Sequence, residues 1–206
     1  MRPLIIGLAG GSGSGKSTLA KALVEAMPGG CLHLLYDRYY RTLTETQRLD
    51  VDKVNFDHPE TLETSRLLAD LESLLTTGAA LVPRYDFETH RRESDERVFA
   101  EPVVVVEGIL TLSHPELSAR MDVRLYVDAP ESVRLDRRVR RDVAERGRTE
   151  AEVRHRFART VRPMHEQFVE PSKREAHLLL DGTTAIAANV QRVLDYLKGL
   201  EGEPRP

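Results

Sequence analysis

Apolar residues recur along the chain as short unbroken runs, separated by longer stretches on helical spacing. Leu4-Ile-Ile-Gly-Leu-Ala9 is one run, Cys31-Leu-His-Leu-Leu-Tyr36 a second and Val103-Val-Val-Val106 a third; Val123–Val127 and His177–Leu180 follow. Runs of four to six apolar residues without alternation match strands buried on both faces of a parallel sheet. Between the runs the period changes. Residues 18–27 read as a helix leaving the first strand. Leu62, Leu67, Leu68, Leu71, Leu74 and Leu75 give 61–77 a helical period that Gly78 ends. Residues 130–146 are helical up to Gly147, residues 150–170 form a further helix interrupted or ended near Pro163, and residues 185–200 form the last. Segment 79–100 breaks the rhythm, with Pro83, alternating Tyr85 and Phe87, a charged stretch from His90 to Arg97, then Val98-Phe99. It predicts a β-hairpin inserted beside the core. Strands alternating with helices predict an α/β fold built on a parallel sheet.

Composition narrows the function classes. With 206 residues, 40% of them hydrophobic, the chain suits one domain over 1–200 followed by a polar tail at 201–206. A net charge of −3 argues against a general polyanion binder, although eleven arginines fall between Arg134 and Arg162. The single cysteine, Cys31, excludes an internal disulfide and suggests a reducing compartment. No apolar run approaches the roughly 20 residues of a membrane span. The chain reads as cytoplasmic, with no membrane partner.

The chemistry starts at Gly10-Gly11-Ser12-Gly13-Ser14-Gly15-Lys16-Ser17-Thr18, which fits G-x-x-x-x-G-K-[ST] between a strand and a helix. Glycines let successive backbone N–H groups converge on a phosphate chain, and the helix N-terminus adds its positive dipole end. Lys16 reaches toward β- and γ-phosphates, and the Ser17 hydroxyl suits Mg²⁺. The expectation is a P-loop NTPase-type three-layer fold that binds ATP or GTP.

Other residues gather around that loop by position. Asp37 follows the second strand, where ligands sit in an open parallel sheet, and is a candidate proton acceptor; an ordinary capping aspartate is the alternative. Glu107 ends the Val103–Val106 strand and suits an Mg²⁺ held through water. Asp57, in Asn55-Phe-Asp-His-Pro59, is either a helix-start residue or an acceptor for a vicinal diol. Arg137-Arg138-Val-Arg140-Arg141-Asp142, then Glu145-Arg146-Gly147-Arg148, place several guanidiniums on one helix face in a lid region spanning 137–160. Arginines there would offset phosphoryl charge; a solvated face or an RNA-binding patch are the alternatives.

Taken together these segments resemble the uridine–cytidine kinase family, along with Tyr36-Asp-Arg-Tyr-Tyr40, Pro83–Arg91, Thr160-Val-Arg-Pro163 and Glu170-Pro-Ser-Lys173. The resemblance implies a P-loop kinase with a five-stranded parallel sheet, a nucleoside-binding hairpin and a mobile lid, commonly a homotetramer. It implies Asp37 as general base, Asp57 and Arg138 on the ribose hydroxyls, and Tyr85 and His90 at the pyrimidine. Arg141 and Arg146 would lie by the phosphates and Arg148 by the nucleoside. Two departures stand out: Arg156 occupies a place where a glutamine facing the nucleoside is usual, and Asp181-Gly182 replaces a Pro-Arg-Gly segment. Arg38 also replaces a small residue. The implied reaction transfers a γ-phosphoryl group to the 5′-hydroxyl of uridine or cytidine in pyrimidine salvage. The rivals are a related phosphoribulokinase or pantothenate kinase type, and a nucleotide-dependent RNA binder.

Overall fold

Five parallel strands form the centre of the computed structural model, which describes residues 2–200; the polar tail at 201–206 lies outside the described residues. In chain order the first elements are β1 (Leu4–Gly10), α1 (Lys16–Ala26), β2 (Cys31–Leu35), α2 (Glu45–Leu49) and α3 (Thr64–Thr77). The inserted segment follows as β3 (Ala79–Val82), β4 (Tyr85–Asp86), β5 (Arg91–Arg92) and β6 (Glu96–Phe99). Then come β7 (Val103–Glu107), α4 (Pro115–Ser118), β8 (Val123–Asp128), α5 (Glu131–Arg146) and α6 (Glu150–Arg156). The chain closes with α7 (Arg162–Met164), α8 (Glu170–Ser172), β9 (Leu178–Asp181) and α9 (Ile186–Gly199).

The sheet order is β2-β7-β1-β8-β9, so β1 lies in the middle and every crossover carries helical chain. Alternation along β1 divides the core in two. Ile5 and Ala9 join Val104, Val106 and Tyr126 under Leu67, Leu71 and Leu74 of α3. Ile6 and Leu8 face the other way, with Val103, Val105, Leu125 and Val127 against Leu19, Ala20 and Leu23 of α1 and Val193 of α9. Burial on both faces is why these strands read as solid apolar runs. The carboxyl ends of β1, β2 and β7 carry Gly10, the turn at Tyr36–Tyr39 and Glu107, and so gather the chemistry at one edge.

The 79–100 hairpin forms in two steps. β3 pairs with β6 (Ala79↔Phe99, Val82↔Glu96), and beyond Pro83-Arg84 the short β4 pairs with β5 (Tyr85↔Arg92). Arg92 fixes it to the body, donating to the carbonyls of Tyr40 (3.1 Å) and Tyr39 (3.0 Å) and pairing with Glu63.

Three expectations are corrected. Helix α3 begins at Thr64, because the 3₁₀ turn Pro59–Thr61 takes the preceding residues. Helix α1 begins at Lys16, so the loop's lysine and serine already belong to its first turn. The helix after Gly147 is interrupted near Pro163 but does not end there, and its end moves from residue 170 to Glu175. Helical backbone runs on to Glu175 because wide π turns, Phe157–Val161 and His165–Val169, precede Pro163 and Pro171. A π turn removes the demand for the proline N–H and clears its ring from the previous turn.

Candidate active site

The phosphate loop is shaped by what lies beneath it. At Gly13 φ is +83°, and a Cβ there would stand 2.3 Å from the Arg134 carbonyl oxygen. Only glycine fits that contact and that backbone conformation. Gly182 approaches as closely: a Cβ would lie 2.2 Å from the Ser14 carbonyl oxygen, and its N–H donates to Asp128 O (2.6 Å). The Asp181-Gly182 segment therefore presses directly on the phosphate loop. Arg137 donates to the Ser14 carbonyl at 3.2 Å, bracing the loop from α5.

Glu107 binds this loop to the sheet. Its Oε1 accepts from Ser17 Oγ at 3.1 Å and lies 3.5 Å from Lys16 Nζ; its Oε2 lies 3.5 Å from His33 Nε2. Burial works against the charge, but Lys16, His33 and Ser17 outweigh it and hold the carboxyl below the usual range. An ionised carboxylate beside an accessible serine hydroxyl fits Mg²⁺, which takes one or two protein ligands and completes its octahedron with phosphates and water.

Asp37 lies in the 3₁₀ turn Tyr36–Tyr39 just past β2. Burial pushes its carboxyl up from 3.8 to about 6, with Lys16 and Arg146 opposing and Glu107 and Asp57 assisting the rise. A carboxylate poised near neutrality is suited to accept a proton. Asp57 is buried and also raised by desolvation, against the pull of Arg138 and Arg156.

Across from these acids stands an aromatic wall. His90 stacks on Phe56 with ring centroids 4.9 Å apart and planes 24° apart; Tyr40 meets Phe56 edge-on at 5.5 Å and Tyr85 at 5.6 Å. His90 is held at φ +54°, and among the described residues it is the sole non-glycine with positive φ. Its Nδ1 and the Tyr85 hydroxyl are both buried without an internal partner. Burial and the charges of Arg156 and Arg148 lower the His90 pKa, so the imidazole is neutral near pH 7. Arg156 also lies over the Phe56 ring, its guanidinium 5.6 Å from the ring centroid, and donates to Val54 O at 3.3 Å.

The arginines of α5 converge from above. Arg138 is buried and donates to Ser12 Oγ at 2.8 Å. Arg138, Arg141, Arg146 and Arg148 all meet the carboxylate of Asp142. The structure thus brings Lys16, Ser17, Asp37, Asp57, Tyr85, His90, Glu107, the four arginines and Arg156 around one cleft. Sequence reasoning gave no role to Phe56 or Tyr40. The signal was an aromatic between Asn55 and Asp57, placed where an apolar residue has no helix face to fill.

Comparison with known proteins agrees with this geometry. The model of the phosphoribulokinase / uridine kinase family matches residues 5–187. A protein named uridine kinase from Chloroflexus aggregans is 42% identical over 182 residues, 87% of each chain. One from Ligilactobacillus salivarius is 38% identical over 206 residues, 97% of each chain. Among solved structures, phosphoribulokinase from Rhodobacter spheroides shares the fold at a TM-score of 0.66 and 14% identity, over 87% of this chain and 70% of that one.

Proposed function

The chain belongs to the phosphoribulokinase / uridine kinase family, and from that membership we propose that it phosphorylates the 5′-hydroxyl of uridine and cytidine. The observation that carries the reading is the pair of buried, unpartnered polar atoms, Tyr85 Oη and His90 Nδ1, on an aromatic wall whose Tyr40 lies within the field of Asp37 and Asp57. A flat base fits such a wall, and unpartnered buried polar atoms gain a hydrogen bond when it arrives. A sugar phosphate or pantothenate offers no ring to stack there.

The roles follow from the cleft. Asp37 accepts the 5′-hydroxyl proton. Asp57 and Arg138 hold the ribose hydroxyls, and Tyr85, His90, Arg148 and Arg156 face the base. The loop 10–18 wraps the phosphates of ATP or GTP, with Lys16, Arg141 and Arg146 offsetting their charge. Ser17 and Glu107, the latter through water, would hold Mg²⁺, which would supply neutralisation of phosphate charge. Positioning and charge neutralisation supply most of the rate in such transfers. On this reading residues 1–200 form one kinase domain with 137–160 as a closing lid. The protein is a cytoplasmic homotetramer in pyrimidine salvage that takes no nucleic-acid or membrane partner; among the described residues no helix is long and apolar enough to cross a membrane.

The test is product identity. Incubation with ATP, Mg²⁺ and uridine should yield UMP by chromatography, and 5′-deoxyuridine should yield nothing. Turnover that persists with 5′-deoxyuridine would place the acceptor oxygen elsewhere.

A further inference from the structure

Asp142 on α5 is fully buried, and one carboxylate faces four guanidiniums. Its Oδ1 lies 2.8 Å from Arg141 Nη2 and 3.3 Å from Arg146 Nη1; its Oδ2 lies 3.4 Å from Arg138 Nε and 3.6 Å from Arg148 Nη1. Its backbone carbonyl also accepts the N–H of Arg148 at 3.3 Å, tying the chain beyond Gly147 back onto the helix. Ordinary i,i+4 pairs on a solvated helix contribute little and need no burial. Here one negative charge sits among four positive ones, so the cluster keeps a strong net positive charge. Each guanidinium has five N–H donors; Arg141 Nε donates to Asp142 Oδ1 at 2.9 Å, and Arg138, Arg146 and Arg148 meet the carboxylate as ion pairs. The side chains of Arg141, Arg146 and Arg148 stay 35%, 46% and 30% exposed, so the remaining donors are reachable from the cleft.

The four arginines also reach different groups of the site. Arg138 and Arg141 act on Asp57, Arg148 acts on His90, and Arg146 acts on Asp37. Asp142 is ion-paired with all four.

We infer that Asp142 is the positioning residue of this lid: its buried carboxylate gathers Arg138, Arg141, Arg146 and Arg148 into one preformed anion cluster, which a polyphosphate chain then engages. The inference rests on the kinase reading above and adds a residue that touches no reacting atom. It separates two properties of the cluster. Attraction for phosphate comes from the guanidinium charges, whereas their placement against the reacting group comes from Asp142.

The test uses the full chain and the Asp142→Asn variant, with inorganic tripolyphosphate titrated by calorimetry and ADP release measured with uridine. Asparagine removes a competing negative charge and keeps all four guanidinium charges, but no longer holds them by ion pairs. Tripolyphosphate affinity should therefore stay equal or tighten, while kcat falls tenfold or more because the guanidiniums are no longer aimed. A kcat within twofold of wild type overturns the inference. So does a loss of kcat matched by an equal loss of tripolyphosphate affinity, which is the mark of general unfolding. If Asp142→Asn does not fold, Asp142→Glu, which keeps the charge but displaces it by one methylene, is judged on the same two readouts. If the wild-type chain shows no uridine-dependent turnover, the kinase reading fails. The tripolyphosphate arm then still decides the role of Asp142, with weaker binding by the variant counting against it.

Discussion

Replacing Asp37 with asparagine should make the protein more stable and nearly inactive at once. Its carboxyl stands at about 6 in the folded chain against 3.8 ordinarily, and burial is the main cause. Moving a carboxyl that far costs about 3 kcal/mol when it must ionise at pH 7. The side chain keeps some solvent access, which reduces the figure to about 2 kcal/mol. The sign follows from the raised value. The fold favours the protonated form, so the associated stability is fully present below about pH 4 and is lost as pH rises through about 6. Asparagine mimics the protonated form at every pH. Asp37→Asn should therefore raise Tm at pH 7 by about 4–8 °C for a chain of this size, and the gain should vanish toward pH 4. Catalysis should move the other way. The amide cannot take the 5′-hydroxyl proton, so kcat should fall about 10²–10⁴-fold while nucleoside still binds. In the unmodified protein kcat/KM for uridine should decline as pH drops below about 6, as Asp37 takes up a proton. Thermal melts from pH 4 to 8 and coupled ADP-release kinetics give all three readouts. The reasoning is refuted if the variant keeps more than half of wild-type kcat when chemistry limits the rate, or if its Tm at pH 7 is lower than that of wild type.

Three further outcomes are expected. Arg141→Ala should lower kcat more than it raises KM for the nucleoside, since its guanidinium is partly exposed and ready to meet developing charge; unchanged steady-state kinetics would mark it as a surface ion-pair residue. His90→Ala should cost roughly 1–3 kcal/mol of kcat/KM on both uridine and cytidine, because a neutral imidazole has one donor and one acceptor nitrogen and serves either base. Values within about twofold of wild type on both would show that His90 does not read the base. Gly13→Ala should abolish ATP binding in a fluorescence titration, because the added Cβ would stand 2.3 Å from a backbone oxygen and force the loop to move; retained affinity would contradict the loop geometry.

The parallel sheet was legible because both of its faces are buried, which turns each strand into a solid apolar run such as Val103–Val106. The phosphate loop was legible because its function fixes glycines at set spacing. The two π turns were not, since nothing in the sequence signals that a wide turn will carry a helix past Pro163 and Pro171. Within the site, Asp37 and Glu107 left a trace in residue type and position, whereas His90 stood out only through the family resemblance. Asp142 left little trace, because a carboxylate beside an arginine on a helix reads as one more surface ion pair. Only the fold reveals that it is buried and shared by four guanidiniums. Phe56 was hidden similarly: its stacking on His90 joins residues 34 positions apart, and that contact arises only when the hairpin folds over the cleft.

The central claim is a pyrimidine nucleoside as phosphoryl acceptor, and an ADP-release assay across an acceptor panel tests it most directly. With ATP and Mg²⁺, uridine and cytidine should both support turnover, while adenosine and guanosine should not. Turnover with ribulose 5-phosphate or pantothenate alone, or no turnover with any acceptor together with salt-sensitive RNA binding, would contradict it.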